Sequence, residues 1–217
     1  MIARRRLRKK VSVTLILIFL NLIFFLVTYP SFLKAKSCEE TLCKYVALTP
    51  YYVLHSYRLW TIITSMFVHA GFLHLFVNMI SLFFLGSFLE RLIGKKRFIF
   101  IYFASGILAS LFFIAFSLLS DSKVPAVGAS GAIFGLGGVL AILTPRLPVY
   151  IMFIPVPMPL WLGIVIMLVL LWIVSALHNL PIGNTAHLGG LIAGLLYGLY
   201  LRKKYKRKVA ILDRYFR

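Results

Sequence analysis

The chain has 217 residues, of which 61% are hydrophobic and only 13% charged, with a formal net charge of +19 and a mean hydropathy of +0.96. A soluble globule of this length keeps part of every layer against water and could not hide so much apolar surface, so the bilayer is the solvent that suits it. The basic residues sit at the ends of apolar runs, where membrane topology uses them, and nucleic acid is excluded as an expected partner.

Arg4 to Lys10 form a basic N-terminus (1–10) ahead of an apolar run from Val11 to Val27. That run is long for the apolar region of a signal peptide, and no small-x-small cleavage site follows in Tyr29-Pro30-Ser31-Phe32-Leu33, so a retained first helix is expected over 11–29. The next stretch, about 30–69, is too long for a simple connector. It carries Tyr51, Tyr52, Tyr57 and Trp60, which suit the membrane interface, and is expected to lie partly in the outer leaflet. Cys38 and Cys43 both fall there; a local disulfide and two free thiols both fit, and no His or acid cluster accompanies them to make a metal site. Further apolar segments follow at about 70–89, 98–118, 127–143, 149–176 and 183–201, close to the ~20 residues a spanning helix needs. The fourth is short and glycine-rich, which predicts a helix packed among other helices rather than facing lipid. A basic tail, 202–217, ends the sequence. The expected fold is an all-α membrane protein of six transmembrane helices over 11–201, with no room for a sizeable soluble domain.

Charge placement supports this layout. With the N-terminus cytoplasmic, the inside segments Arg4 to Lys10, Arg91 to Arg97, the Arg146 loop and Arg202 to Arg217 hold 6, 4, 1 and 8 basic residues, or 19 of the 24. The outside segments hold only Lys34, Lys36, Lys44, Arg58 and Lys123. Both termini are therefore expected on the cytoplasmic side, in agreement with the positive-inside rule.

Polar side chains at membrane depth are costly and need a partner or a task. The candidates are His69, His74 and Asn78 around the second helix, Ser130 in the fourth and His187 in the sixth. These three helices all run inward from the outer face, so at 1.5 Å per residue His74, Asn78, Ser130 and His187 fall within roughly 10 Å of one another in depth. Ser130 stands in Gly128-Ala129-Ser130-Gly131, and Gly190 and Gly194 share the helix face of His187, so two backbones can approach closely enough for a short hydroxyl to meet an imidazole. That arrangement suits a serine nucleophile with a histidine base. The acids Glu39, Glu40, Glu90, Asp121 and Asp213 all lie at the wrong depth, so a Ser130–His187 dyad is expected rather than a buried triad, with Phe134 placed to stack on the imidazole. His74 and Asn78, spaced i, i+4 on one face, are the expected donors to an oxyanion, with the Ser130 amide a third. No cofactor or metal is called for. His55 and His178 are assigned no role, and His69 is expected to anchor the loop at the interface.

These residues carry a resemblance. Val127-Gly128-Ala129-Ser130-Gly131-Ala132-Ile133-Phe134-Gly135 resembles the GxSG nucleophile motif of the rhomboid family of intramembrane serine proteases. His69-Ala70-Gly71-Phe72-Leu73-His74-Leu75-Phe76-Val77-Asn78 is similar to the family's HxxxxHxxxN segment, and Ala186-His187-Leu188-Gly189-Gly190-Leu191-Ile192-Ala193-Gly194 to its AHxxGxxxG helix. The likeness covers roughly 58–200. It implies a six-helix bundle, Ser130 as nucleophile, His187 as general base, His74 and Asn78 as oxyanion donors, and Glu90 as a structural acid. It implies hydrolysis of peptide bonds in or near the transmembrane segments of membrane-protein substrates. It further implies a plasma membrane, of bacterial type, with the active site open to the exoplasmic side, and a fifth helix and 177–183 loop that move to admit substrate. One departure concerns loop anchoring: where many members carry Trp-Arg, this chain has Trp60-Thr61, with Arg58 out of register. Two rival readings are a catalytically silent relative that binds membrane clients and a small proton-coupled transporter using His74 and His187. The sequence carries no signal for oligomeric state or for the identity of a substrate.

Overall fold

A computed structural model describes residues 11–34, 42–120, 124–151, 154–178 and 183–215. The basic segment 1–10 and Cys38 lie outside these residues. In chain order the elements are α1 (Val13–Lys34), three short helices α2 (Cys43–Val46), α3 (Pro50–His55) and α4 (Thr61–Thr64), then α5 (Phe72–Ser81) and α6 (Ser87–Ile93), joined by one π-helical turn over Leu82–Gly86. They continue with α7 (Lys95–Ser120), α8 (Ser130–Leu143), the hairpin β1 (Pro148–Ile151) and β2 (Ile154–Pro159), α9 (Leu160–His178), α10 (Asn184–Lys204) and α11 (Lys206–Tyr215).

Among the described residues four helices are long and apolar enough to cross a membrane: Val13–Pro30, Phe72–Ile93, Lys95–Leu118 and Leu160–His178. The chain is thus a mostly helical, multi-pass membrane protein. Exposed apolar side chains cover the outer helices; α9 buries only Leu160 and Gly163 while Trp161, Val165, Val169, Trp172 and Leu177 face outward. Such a surface has no solvent but lipid. The inner helices invert that pattern. In α8, ten of fourteen residues are buried, four of them glycines.

The core is a three-helix contact of α7, α8 and α10 built on small residues. A Cβ on Gly190 would overlap the carbonyl oxygen of Gly131, and one on Gly194 that of Gly135. A Cβ on Gly138 would meet the Leu191 carbonyl at 2.8 Å. From α7, Ala109 closes on Gly131 and Ser105 on Gly135. Without water between them these helices gain nothing from apolar burial alone, so van der Waals fit at backbone-to-backbone distance holds them.

α1 is tied to this core at its N-terminus. Glu90 accepts hydrogen bonds from the Ser12 hydroxyl (2.8 Å), the Val13 and Thr14 amides (2.9 Å each) and the Thr14 hydroxyl (2.8 Å). Lys95 adds a bond to the Val11 carbonyl. The carboxylate satisfies first-turn N–H groups that have no partner within the helix and sits at the positive end of its dipole. Glu90→Ala orphans four donors 76 to 78 residues away in sequence and is expected to cost about 2–3 kcal/mol, read as a lowered unfolding midpoint in detergent. An unchanged midpoint would show that α1 holds without this cap.

One expectation needs correction. The fifth apolar segment, 149–176, is not one helix: its first part is an antiparallel hairpin pairing Pro148 with Pro159, Val149 with Met158 and Ile151 with Ile154, and α9 starts only at Leu160. Pro148, Pro155, Pro157 and Pro159 remove the amide donors a helix would need there, whereas an edge strand tolerates them at positions pointing outward. An all-α description is therefore incomplete by one hairpin. Beyond the sixth apolar segment, α10 runs to Lys204 and α11 follows, its Val209 buried while Lys206, Arg207 and Lys208 are exposed.

Candidate functional site

The residues between α1 and α5 fix the start of α8. Arg58 donates to the Lys44 carbonyl (2.8 Å) and lies over the Tyr45 and Tyr52 rings, 5.0 and 4.3 Å from their centroids. The Trp60 indole donates to the Tyr45 carbonyl and the Thr64 hydroxyl to the Val46 carbonyl, both at 2.8 Å. Arg58 and Trp60 thus anchor the loop, while Thr61 caps locally onto the Arg58 carbonyl at 2.7 Å. Cys43 is buried and disulfide-bonded. Leu48 and Ala126 exchange both backbone hydrogen bonds (3.1 and 2.8 Å), and the Gly128 amide donates to the Ser65 carbonyl at 2.9 Å. The strap from Ala126 to Gly128 is therefore held by the loop at both of its ends.

Gly128 has φ +116°, a backbone state that side-chain-bearing residues rarely adopt. Its missing Cβ matters as well, because that atom would come within 2.8 Å of the His74 ring and 3.8 Å of the Ser130 hydroxyl. The turn leaves Ser130 as the first residue of α8, three residues later than the expected start at 127. There the first-turn amides have no acceptor within the helix, and they present donors together with the positive end of its dipole.

On α10 the His187 ring is buried, 6% exposed, and its Nε2 lies 2.7 Å from the Ser130 Oγ. The Phe134 ring stacks on it, centroids 4.8 Å apart and planes 29° apart. Gly131 and Gly190, one and three residues along from Ser130 and His187, are the point where the two backbones touch. The hydroxyl–imidazole distance is thus set by glycines and not by long flexible side chains. The Nδ1 of His187 has no hydrogen-bond partner, nor has the Oδ1 of Asn184, itself 8% exposed and one turn earlier on the same helix. Asn184 was missed from sequence, although its i, i+3 spacing from His187 marks it as polar on the same face.

The other polar candidates come from α5. His74 is half-buried against the Gly128 turn. Asn78 is buried and donates one N–H to the His74 carbonyl at 2.8 Å, leaving its second N–H uncommitted. His69, expected at the interface, is fully buried instead; its ring meets that of His74 edge-on at 5.0 Å, and its Nδ1 is 3.3 Å from the Phe67 carbonyl. It backs His74 from behind. His55 and His178 are exposed, and the His55 Nδ1 lies 3.0 Å from the Tyr51 carbonyl. The arrangement can do the chemistry of a serine hydroxyl with an adjacent base, next to donors able to hold a developing negative charge.

Comparison with known proteins identifies a family. A family model described as the Rhomboid domain matches residues 56–204. Rhomboid protein 1, mitochondrial, of Saccharomyces cerevisiae is 32% identical over 177 residues, which cover 81% of this chain and 50% of that protein. Rhomboid protease GluP of Bacillus subtilis is 36% identical over 136 residues, 62% of this chain and 24% of that protein. Inactive RHOMBOID-like protein 8 of Arabidopsis thaliana is 39% identical over 85 residues, 39% of this chain and 23% of that protein. The chain spans half the length, or less, of each of these curated relatives. Mitochondrial, plant and bacterial proteins all occur among them, so they do not select one membrane or a bacterial source.

Proposed function

This chain belongs to the rhomboid family, and from that membership we propose that it is an intramembrane serine endopeptidase acting on transmembrane segments of other membrane proteins. The observation that carries the reading is the 2.7 Å contact between Ser130 Oγ and His187 Nε2, made across two helices fused at glycine. In this reading His187 takes the proton as Ser130 attacks the scissile carbonyl, then returns it to the leaving amine. The first-turn amides of α8, the His74 imidazole and the free N–H of Asn78 receive the oxyanion. A substrate helix must unwind locally, because a helical carbonyl is already hydrogen-bonded. A fluorophosphonate probe tests the reading directly: it labels the wild type and not Ser130→Ala. Equal labelling of both would remove Ser130 as the nucleophile.

His74→Ala and Asn78→Ala are expected to lower kcat about 100- to 1,000-fold each, or ~3 kcal/mol, as for loss of one oxyanion donor. Asn78 should fall at the lower end, since one of its N–H groups is committed to the His74 carbonyl. Wild-type rates in both would exclude them from the reaction.

The same reading takes six spans, α8 and α10 being the two inner ones, with both termini cytoplasmic and the site open to the opposite side. Single cysteines at 5 and 206 should then label only from the cytoplasmic side; exoplasmic labelling at either would overturn the topology. A client-binding role without catalysis is the second reading, since one relative is named inactive. It predicts normal client capture and no cleavage by the wild type.

A further inference from the structure

At the end of the bundle remote from Ser130, the C-terminal ends of α8 and α10 and the underside of α11 enclose a groove of about 620 Å³. Its apolar wall is made by Ile142, Leu143 and Leu199, closed by Val209 and Ala210 of α11, and its rim carries Arg202, Lys203 and Lys206. All three basic residues are exposed, as are Arg207 and Lys208 beside them. Glu90, the one acid whose side chain is described, is committed to the α1 N-terminus and neutralises none of them. The groove is also a fixed structure. Tyr205, at the α10–α11 junction, accepts a hydrogen bond from Arg97 at 2.6 Å, with the guanidinium 5.1 Å from its ring centre, and Val209 is packed into the main core. Leu199, one turn before Arg202 and 51% exposed, puts the rim at the level where the apolar part of α10 stops.

Apolar wall, cationic rim and position at the membrane boundary together define the occupant. We propose that this groove binds one anionic phospholipid, its phosphate held by Arg202, Lys203 and Lys206 and an acyl chain lying along Ile142 and Leu199. A free anion would use the rim and leave the apolar wall bare. A zwitterionic lipid would fill the wall, but its own ammonium group would compete with the rim. Only an anionic lipid satisfies both halves. Juxtamembrane cations attract such lipids, each contributing a factor of about five at the surface.

The test uses the full chain in detergent, titrated with phosphatidylglycerol or phosphatidylcholine and read by native mass spectrometry. The wild type should retain one phosphatidylglycerol on the order of 100-fold more tightly than phosphatidylcholine. The triple substitution Arg202→Gln, Lys203→Gln, Lys206→Gln should abolish that preference. Arg207→Gln, Lys208→Gln, Arg214→Gln removes the same charge from α11 residues outside the groove and should keep it. Ala210→Trp, which fills the groove and leaves every charge in place, should also lose the bound lipid. Equal binding of the two lipids by the wild type would overturn the proposal. So would equal loss in the two triple variants, which would mean diffuse surface charge, or displacement of the lipid by millimolar inorganic phosphate, which would mean a free-anion site. All variants must give the wild-type unfolding midpoint; for one that does not, Leu199→Gln, which changes the wall without its volume, should weaken both lipids, and no change there overturns the site.

Discussion

Ser130→Ala is expected to reduce cleavage of a membrane-tethered reporter to background, a loss on the order of 10⁶-fold where the wild-type rate is high enough to measure it. The change deletes one oxygen and one hydrogen bond, 2.7 Å to His187, from the first residue of α8, so its cost in stability should be only about 1 kcal/mol. His187→Ala should lose as much activity. The informative comparison is the double variant. A nucleophile and its base act as one unit, so removing both should cost no more than removing either. Additive losses would mean that the two groups serve separate steps. Full activity in purified Ser130→Ala would end the proteolytic reading, whatever the family.

The second large effect is structural. Gly194→Ala puts a methyl onto the Gly135 carbonyl and Gly190→Ala onto that of Gly131. In both cases the obstacle is the backbone of a neighbouring helix, which has no rotamer to change. The helices must separate, and each variant is expected to lose 3 kcal/mol or more, about the upper range for overpacking. Gly198 faces the Ile142 side chain at 2.9 Å and should suffer less on substitution, and Gly71, with nothing within 4 Å, almost not at all. Thermal unfolding in detergent should rank the four alanine variants in that order. If Gly194→Ala unfolds with Gly71→Ala, the seam does not set the spacing of α8 and α10. Because Gly131 and Gly190 lie next to Ser130 and His187, partial separation should abolish activity before the fold is lost.

The polar cluster was legible because the membrane makes such residues rare: five polar candidates in the spans could be compared one by one, and depth along three helices selected four. The glycine spacing was legible for a related reason, since only small residues allow a serine to reach another helix. What escaped the reading depends on contacts distant in sequence. Nothing near Glu90 names Ser12 and Thr14 as its partners, and nothing near Arg58 points to the Lys44 carbonyl and two tyrosine rings. His69 looked like a surface residue because its neighbours are loop-like; burial against His74 appears only once the loop folds back. Over 149–176 hydropathy favours one long helix, and the signal against it is local: Pro155, Pro157 and Pro159 stop a helix before Leu160. The start of α8 at Ser130 could have been inferred from the Gly128 turn, which an uninterrupted helix from 127 would not need.

The π-helical turn over Leu82–Gly86 joins the half of the helix that holds His74 and Asn78 to the half that holds Glu90. Such a turn accommodates one residue more than an α-helix would, and each residue of an α-helix rotates its successor by about 100°. Loss of a single codon here would leave the hydrophobic profile intact. It would nonetheless turn Glu90 away from α1 and Leu89 and Ile93 out of the core, or swing His74 away from Gly128. The apolar residues between Asn78 and Glu90 should therefore accept many apolar replacements over evolutionary time, and the stretch almost no insertion or deletion.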